Sequence, residues 1–312
     1  MTRIVFMGTP DFSVPILTGL MENGYNVVGV VTQPDRPAGR KKTLAPTPVK
    51  AKALEYGIPV FQPDKIKENF QQVLDWVPDL IITAAFGQMV PKVLLDAPRH
   101  RCINIHASLL PKYRGGAPIH QAVIDGETQT GITIQYMDVT MDTGDIISHV
   151  VVPIGPDDHT GMLFEKLSEA GIDLLLKTLP SLLTGESEAK KQNHALATFA
   201  KNITREQERI DWQKSAAEVY NQVRGLHPWP VSFTVLEDGT TVKVWWGKPV
   251  RAPATFELPG TIVSVDKDGI GIACGGGTVF KMTDVQVSGK KRMEVAQFIN
   301  GGHPFEIGKT VK

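Results

Sequence analysis

The chain predicts an α/β fold: a doubly wound, Rossmann-like, mostly parallel sheet followed by a small β domain. Three observations predict it. Apolar strand-like runs alternate with helical patterns over the first two-thirds of the sequence. Those runs are continuous, as in Asn26-Val27-Val28-Gly29-Val30-Val31 and Leu80-Ile81-Ile82-Thr83-Ala84-Ala85, which suits parallel strands covered by helices on both faces. Toward the C-terminus the pattern changes to short β runs joined by turns such as Glu237-Asp238-Gly239-Thr240 and Asp266-Lys267-Asp268-Gly269, where glycine tolerates the positive φ of a hairpin.

Taken in order, the spacing predicts strands over 3–8, 26–32, 80–86, 102–107 and 131–138, and helices near 12–23, 47–56, 66–76, 117–125 and 160–184. Between Leu183 and Arg205 the periodicity fades, so this stretch is expected to carry the chain out of a first domain, 1–203, into a second, 204–312. There a helix, 215–224, precedes β runs at 231–236, 241–246, 260–265, 269–274 and 278–287. Five short strands fit a small barrel of the oligonucleotide-binding type, and equally a purely structural β domain.

Composition narrows the function. At 312 residues the chain is long for one domain and comfortable for two. Its 42% hydrophobic and 21% charged residues are ordinary for a globular protein. No apolar run approaches the roughly 18–20 residues of a membrane span, and Arg3-Ile4-Val5-Phe6-Met7-Gly8 starts a strand rather than a signal peptide, so a cytoplasmic protein without membrane contact is expected. Cys102 and Cys274 have no spacing that supports a disulfide framework or a zinc site. Gly8-Thr9-Pro10 is not a dinucleotide fingerprint and no phosphate-binding Gly-Lys-Ser/Thr loop occurs, which disfavours nicotinamide and ATP chemistry. A net charge of zero argues against a uniformly basic nucleic-acid binder. Locally, however, Arg36, Arg40, Lys41, Lys42, Lys50 and Lys52 come with no acidic residue between Arg36 and Leu54, a patch able to grip phosphates.

The candidate chemistry lies in Cys102-Ile103-Asn104-Ile105-His106-Ala107 and Met141-Asp142-Thr143-Gly144-Asp145. On a strand alternate side chains share a face, so Asn104 and His106 project together, and a loop aspartate, Asp142, can be brought against them. An amide, an imidazole and a carboxylate can stabilise an oxyanion and move a proton. A core histidine beside a turn aspartate fits the same residues. No metal or covalent nucleophile is required, since Ser108 lacks a Gly-x-Ser-x-Gly elbow.

The surrounding words resemble the folate-dependent formyltransferases. The resemblance rests on Phe6-Met7-Gly8-Thr9-Pro10-Asp11-Phe12, Asn104-Ile105-His106-Ala107-Ser108-Leu109-Leu110-Pro111, Tyr113-Arg114-Gly115-Gly116-Ala117-Pro118 and Asp142-Thr143-Gly144-Asp145. Gln33-Pro34-Asp35-Arg36-Pro37-Ala38-Gly39-Arg40 and Arg209-Ile210-Asp211-Trp212 point to the branch that acts on tRNA. The resemblance implies an enzyme that moves the formyl group of 10-formyltetrahydrofolate to the amino group of initiator methionyl-tRNA, with Asn104, His106 and Asp142 catalytic and without metal. It implies that Ser108, Leu109, Leu110 and Pro111 wall the folate; Phe86 and Gly87 are read from the residues themselves as backbone contacts to a flat heterocycle, because glycine lets a ligand approach the main chain closely. It further implies that the loop carrying Arg36, Arg40, Lys41 and Lys42 meets the tRNA, Arg40 foremost, and it favours an OB-like, tRNA-binding second domain. No obligate protein partner is evident. The alternatives are a formyltransferase for a nucleotide or amino sugar, a 10-formyltetrahydrofolate hydrolase, and a non-catalytic RNA-binding module.

Overall fold

Strand β1 (Arg3–Gly8) begins the central sheet, and from Ile4 to Met7 its side chains are fully buried. That is the signature of a strand covered on both faces. In the computed structural model, which describes residues 1–38, 43–251, 257–299 and 301–312, the chain continues through β2 (Asn26–Val31), a hairpin of β3 (Arg36–Ala38) and β4 (Thr43–Ala45), β5 (Val60–Phe61), β6 (Leu80–Ala84), β7 (Cys102–His106), β8 (Gln129–Tyr136) and β9 (Ile146–Pro153). The seven-stranded sheet has the order β5-β2-β1-β6-β7-β8-β9. Its first five strands are parallel, whereas β8 and β9 are antiparallel to their neighbours.

The helices are α1 (Val14–Glu22), α2 (Pro48–Glu55), α3 (Gln71–Asp75), α4 (Lys92–Asp96), α5 (Pro118–Ile124) and α6 (Thr160–Thr184). Helix α2 starts where the sequence supplies both a cap and a proline: the Thr47 side chain accepts a hydrogen bond from the Lys50 amide, and Pro48 follows it. The helix expected at 66–76 is only the five residues of α3. Strand β9 and helix α4 were not anticipated. At the sheet edge β9 pairs with one strand, β8, and is largely half-buried or exposed, so its sequence lacks the fully apolar run of a central strand.

Because the chain steps from β1 outward to β2 and later returns to β6 on the other side, the order reverses between β1 and β6. In such sheets ligands bind outside the carboxyl ends of the strands at that point. The segments found there are Gly8-Thr9-Pro10 after β1, Thr32-Gln33 after β2, Ala85-Phe86-Gly87 after β6 and Ala107-Ser108 after β7.

Two compact units divide the chain: residues 1–118, 129–153 and 164–201 form one, and 119–128, 154–163 and 202–312 the other. The second holds α7 (Arg205–Glu208), α8 (Ala216–Gly225) and α9 (Val295–Phe298). Its antiparallel sheet comprises β10 (Ser232–Val235), β11 (Thr241–Val250), β12 (Ile262–Asp266), β13 (Gly269–Cys274), β14 (Thr278–Val287) and β15 (Met293–Glu294), in the order β10-β11-β14-β13-β12 with β15 on β14. Trp212, Val219, Val223, Val244, Ile272 and Phe280 pack in its core. Among the described residues β10 and β12 do not pair with each other. The tail does so instead: Leu236 bridges Val311 and Thr261 bridges Thr310. Gly260 allows this approach, since a Cβ there would lie 2.5 Å from the Val311 carbonyl oxygen. No helix among the described residues is long and apolar enough to cross a membrane.

Candidate active site

Register brings the polar residues together. Asn104 and His106 of β7 pair with Gln135 and Thr133 of β8, so the polar face of β7 lies beside the polar face of β8, while Ile103, Ile105, Ile132 and Ile134 fill the core. The loop Met137–Asp145 then returns Asp142 to that face. Asp142 adopts φ 56°, a left-handed conformation that aspartate tolerates better than most residues. Gly144 has no alternative, because a Cβ would sit 1.8 Å from the Tyr136 carbonyl oxygen.

Each site group has a defined orientation. The Thr83 hydroxyl of β6 donates to Asn104 Oδ1 at 2.8 Å, which turns the Asn104 amide nitrogen toward Asp142 Oδ1, 3.5 Å away. His106 donates from Nε2 to the Tyr113 carbonyl at 2.9 Å. Its Nδ1 therefore faces Asp142 Oδ1, at 3.6 Å. The Gly115 amide donates to Asp142 Oδ2 at 2.8 Å, and Gln135 Nε2 donates to Oδ1 at 3.2 Å. With His106 and Asp142 side chains only 7% and 10% exposed, the carboxylate is buried yet bonded through both oxygens, the condition under which a buried charge is tolerated.

The arrangement can hold an amide donor, an imidazole and a carboxylate within reach of one reacting atom, and it brings together all three residues the sequence singled out. It also contains residues the sequence reading passed over. Gln135 and Gln192 are buried beside Asp142: Gln192 Nε2 donates to Gln135 Oε1 at 3.0 Å, to the Asp142 carbonyl at 2.9 Å and to the Gly144 carbonyl at 2.8 Å. Arg114, also buried, donates from Nη2 to Gln192 Oε1 at 2.6 Å. A signal for Gln135 was present, since it alternates with Ile132 and Ile134 on an apolar strand. Gln192 carried none, lying in the aperiodic stretch after α6, which the structure ties to the sheet by paired Lys190 and Ile146 backbone bonds of 2.8 Å.

Of the expected folate residues, Ser108 is fully buried and its hydroxyl donates to the Lys112 carbonyl at 2.7 Å. Leu110 and the Phe86 ring are buried too. Leu109, Pro111 and Gly87 remain partly or fully exposed. Ala85, Gly87 and Met89 form an exposed strip alternating with buried Phe86 and Val90, and the Phe86 carbonyl is fixed by Thr9 Oγ1 at 3.0 Å and Gln33 Nε2 at 3.2 Å. An accessible, rigid main chain of this kind suits the face of a flat heterocycle. Arg36 is exposed on β3; Arg40, Lys41 and Lys42 lie outside the described residues.

Comparison with known proteins shows the family. The formyl transferase family profile matches residues 2–179 and the formyl transferase C-terminal domain profile residues 202–303. Methionyl-tRNA formyltransferase of Lysinibacillus sphaericus is 56% identical over all of this chain and all of its own, and that of Bacillus thuringiensis 57% identical over 99% of this chain and 98% of its own. The chain belongs to the methionyl-tRNA formyltransferase family. The fold also matches an N-formyltransferase of Helicobacter canadensis crystallised with folinic acid and dTDP-3-aminofucose, with a TM-score of 0.68 at 19% identity over 90% of this chain and 99% of that one.

Proposed function

We propose that the protein transfers the formyl group of 10-formyltetrahydrofolate to the α-amino group of methionine on initiator methionyl-tRNA. The observation that carries the chemistry is the convergence of Asn104 and His106 from one strand face on Asp142. The acceptor is supported by identity that runs the full length of relatives bearing that name.

The folate supplies the formyl carbon. Attack of the amine forms a new C–N bond, places negative charge on the formyl oxygen and leaves a proton to be shed; collapse breaks the bond to the folate nitrogen, which must take up a proton. Asn104, its oxygen engaged by Thr83, has its amide N–H groups directed into the site to meet the oxyanion. The facing pair of His106 Nδ1 and Asp142 Oδ1 accepts the amine proton and returns it toward the leaving nitrogen. The Gly115 and Gln135 donors hold the Asp142 carboxyl in place, while the Tyr113 carbonyl holds the imidazole ring. Gly87, Leu109 and Pro111 provide the exposed folate-facing surface, and Ser108, Leu110 and Phe86 support it from beneath. Arg36, with Arg40, Lys41 and Lys42, supplies the positive charge that draws tRNA phosphates without reading sequence.

The test is formyl transfer from 10-formyltetrahydrofolate by purified protein to charged initiator tRNA, beside free methionine and uncharged tRNA. Transfer confined to the charged tRNA is expected. Release of formate with no acceptor modified would overturn the assignment.

A further inference from the structure

An arginine has hydrogen-bond donors only, and that asymmetry propagates to the catalytic carboxylate. Arg114 is 5% exposed, and no carboxylate accepts from it among the described residues; its Nη2 meets Gln192 Oε1 and the Nδ1 of His194. Because the guanidinium cannot accept, Gln192 must present its oxygen to Arg114 and its nitrogen to the opposite side. There that nitrogen meets the Gln135 side-chain oxygen, together with the Asp142 and Gly144 main-chain carbonyls. Gln135 in turn must present its nitrogen to Asp142 Oδ1. Each amide is buried, 6% exposed at Gln192 and 1% at Gln135.

We infer that Arg114, Gln192 and Gln135 form a one-way donor relay that fixes the orientation of the Asp142 carboxyl as an acceptor, with Gln135 and Gln192 acting as positioning residues for the reaction. The inference rests on the formyl-transfer reading for its rate consequences, but not for the state of the carboxylate itself. A relay of this kind explains why two glutamines are buried in a position where apolar side chains would cost less: both amides are bonded through nitrogen and oxygen, and bonded polar groups of this kind specify one arrangement. It also explains the buried guanidinium, whose charge is answered at a distance through two aligned amide dipoles. His106 is the titratable group against the carboxylate, and His194 lies at the far end beside Arg114.

The experiment compares Gln135→Leu, Gln192→Leu and their double variant with the parent chain. Gln192→Glu serves as a second probe that keeps an oxygen for Arg114 and deletes the donors. The Asp142 carboxyl is titrated by 13C NMR without substrate, and kcat and KM for formyl transfer are measured across pH. Losing one hydrogen bond to the charged form is expected to move the Asp142 titration and the acid limb of kcat upward together, by about one pH unit. KM for tRNA should stay within about twofold. The double variant is expected to shift no further than the larger single one, since members of one network are not additive. An unmoved Asp142 titration, or additive shifts, would overturn the relay. A shifted titration in a protein that transfers no formyl group would uphold the relay and reject the reaction assigned above.

Discussion

The loop that carries Asp142 and the hairpin that begins at Arg36 are both short excursions from one sheet, yet they are held in opposite ways. The Asp142 loop is bonded along its length: Gln192 grips two of its carbonyls, Gln135 and Gly115 hold the carboxylate, and the Tyr136 amide closes its base by donating to the Asp145 carbonyl. Among the described residues of the hairpin, the side-chain ties lie at the base. Lys50 donates to Asp35 at 2.5 Å, Gln62 donates to Asp35 at 2.7 Å, and Thr47 shares a hydroxyl contact with Thr32 at 2.8 Å, while Arg36, Pro37, Thr43 and Leu44 face solvent. The difference matches what each loop would handle under the function proposed above. Groups that meet a single formyl carbon must be fixed to a fraction of an ångström, whereas a surface that meets a polyanion needs charge more than fixed geometry.

The largest effect should come from the rigid side. His106→Ala is expected to lower kcat by about 10²–10⁴, and Asn104→Ala by about 10²–10³, with folate binding retained in both as read by fluorescence titration. Near-normal turnover in the histidine variant would remove that residue from the mechanism. Gly144→Ala should come next: the new Cβ meets backbone oxygen rather than a side chain that can swing aside, so a stability loss of at least about 1–3 kcal/mol is expected in thermal or urea unfolding.

The hairpin should respond more mildly and in a different parameter. Arg36→Ala is expected to raise KM for charged tRNA severalfold, leave kcat near the parent value and reduce the salt slope of tRNA binding by about one. A salt slope equal to the parent's would assign this arginine to solvent. The smallest effect concerns acid. Hydrogen bonds first from Lys50, then from Gln62, hold the Asp35 carboxyl below its ordinary value. A carboxylate with a depressed folded pKa contributes stability that is complete above the unfolded value, ~3.9, and is lost as the pH falls through the lower folded one. The hairpin base should therefore stay tied throughout the neutral range and release only in acid, and Lys50→Met should bring the Asp35 NMR titration back up.

The two regions also differ in how far their sequence could be read. Alternation on β7 alone placed Asn104 beside His106, and the fixed two-residue period of a strand makes that inference dependable. The continuous apolar runs of β1, β2 and β6 foretold buried parallel strands for the same kind of reason. What could not be read depended on register and return. That Gln135 lies opposite Asn104 follows from how β8 pairs with β7, and Gln192 reaches Asp142 from 50 residues away along the chain. Neither is encoded by a local period. Phe86 and Ser108, expected near the folate, turn their side chains into the protein, because a motif names positions and leaves their direction to packing.

The interleaving of the two units has a consequence for biosynthesis. Residues 119–128 and 154–163 are made with the first half of the chain but belong to the second unit. Their partners lie far downstream: His120 Nε2 meets the Trp229 carbonyl, Thr160 Oγ1 donates to the Gly225 carbonyl, and Arg224 Nη1 donates to the Asp158 carbonyl. A ribosome adding ~5–20 residues per second needs several seconds to travel from one to the other. During that interval the seven-stranded sheet has all of its strands, while two segments of the chain already made still wait for the residues that will receive them.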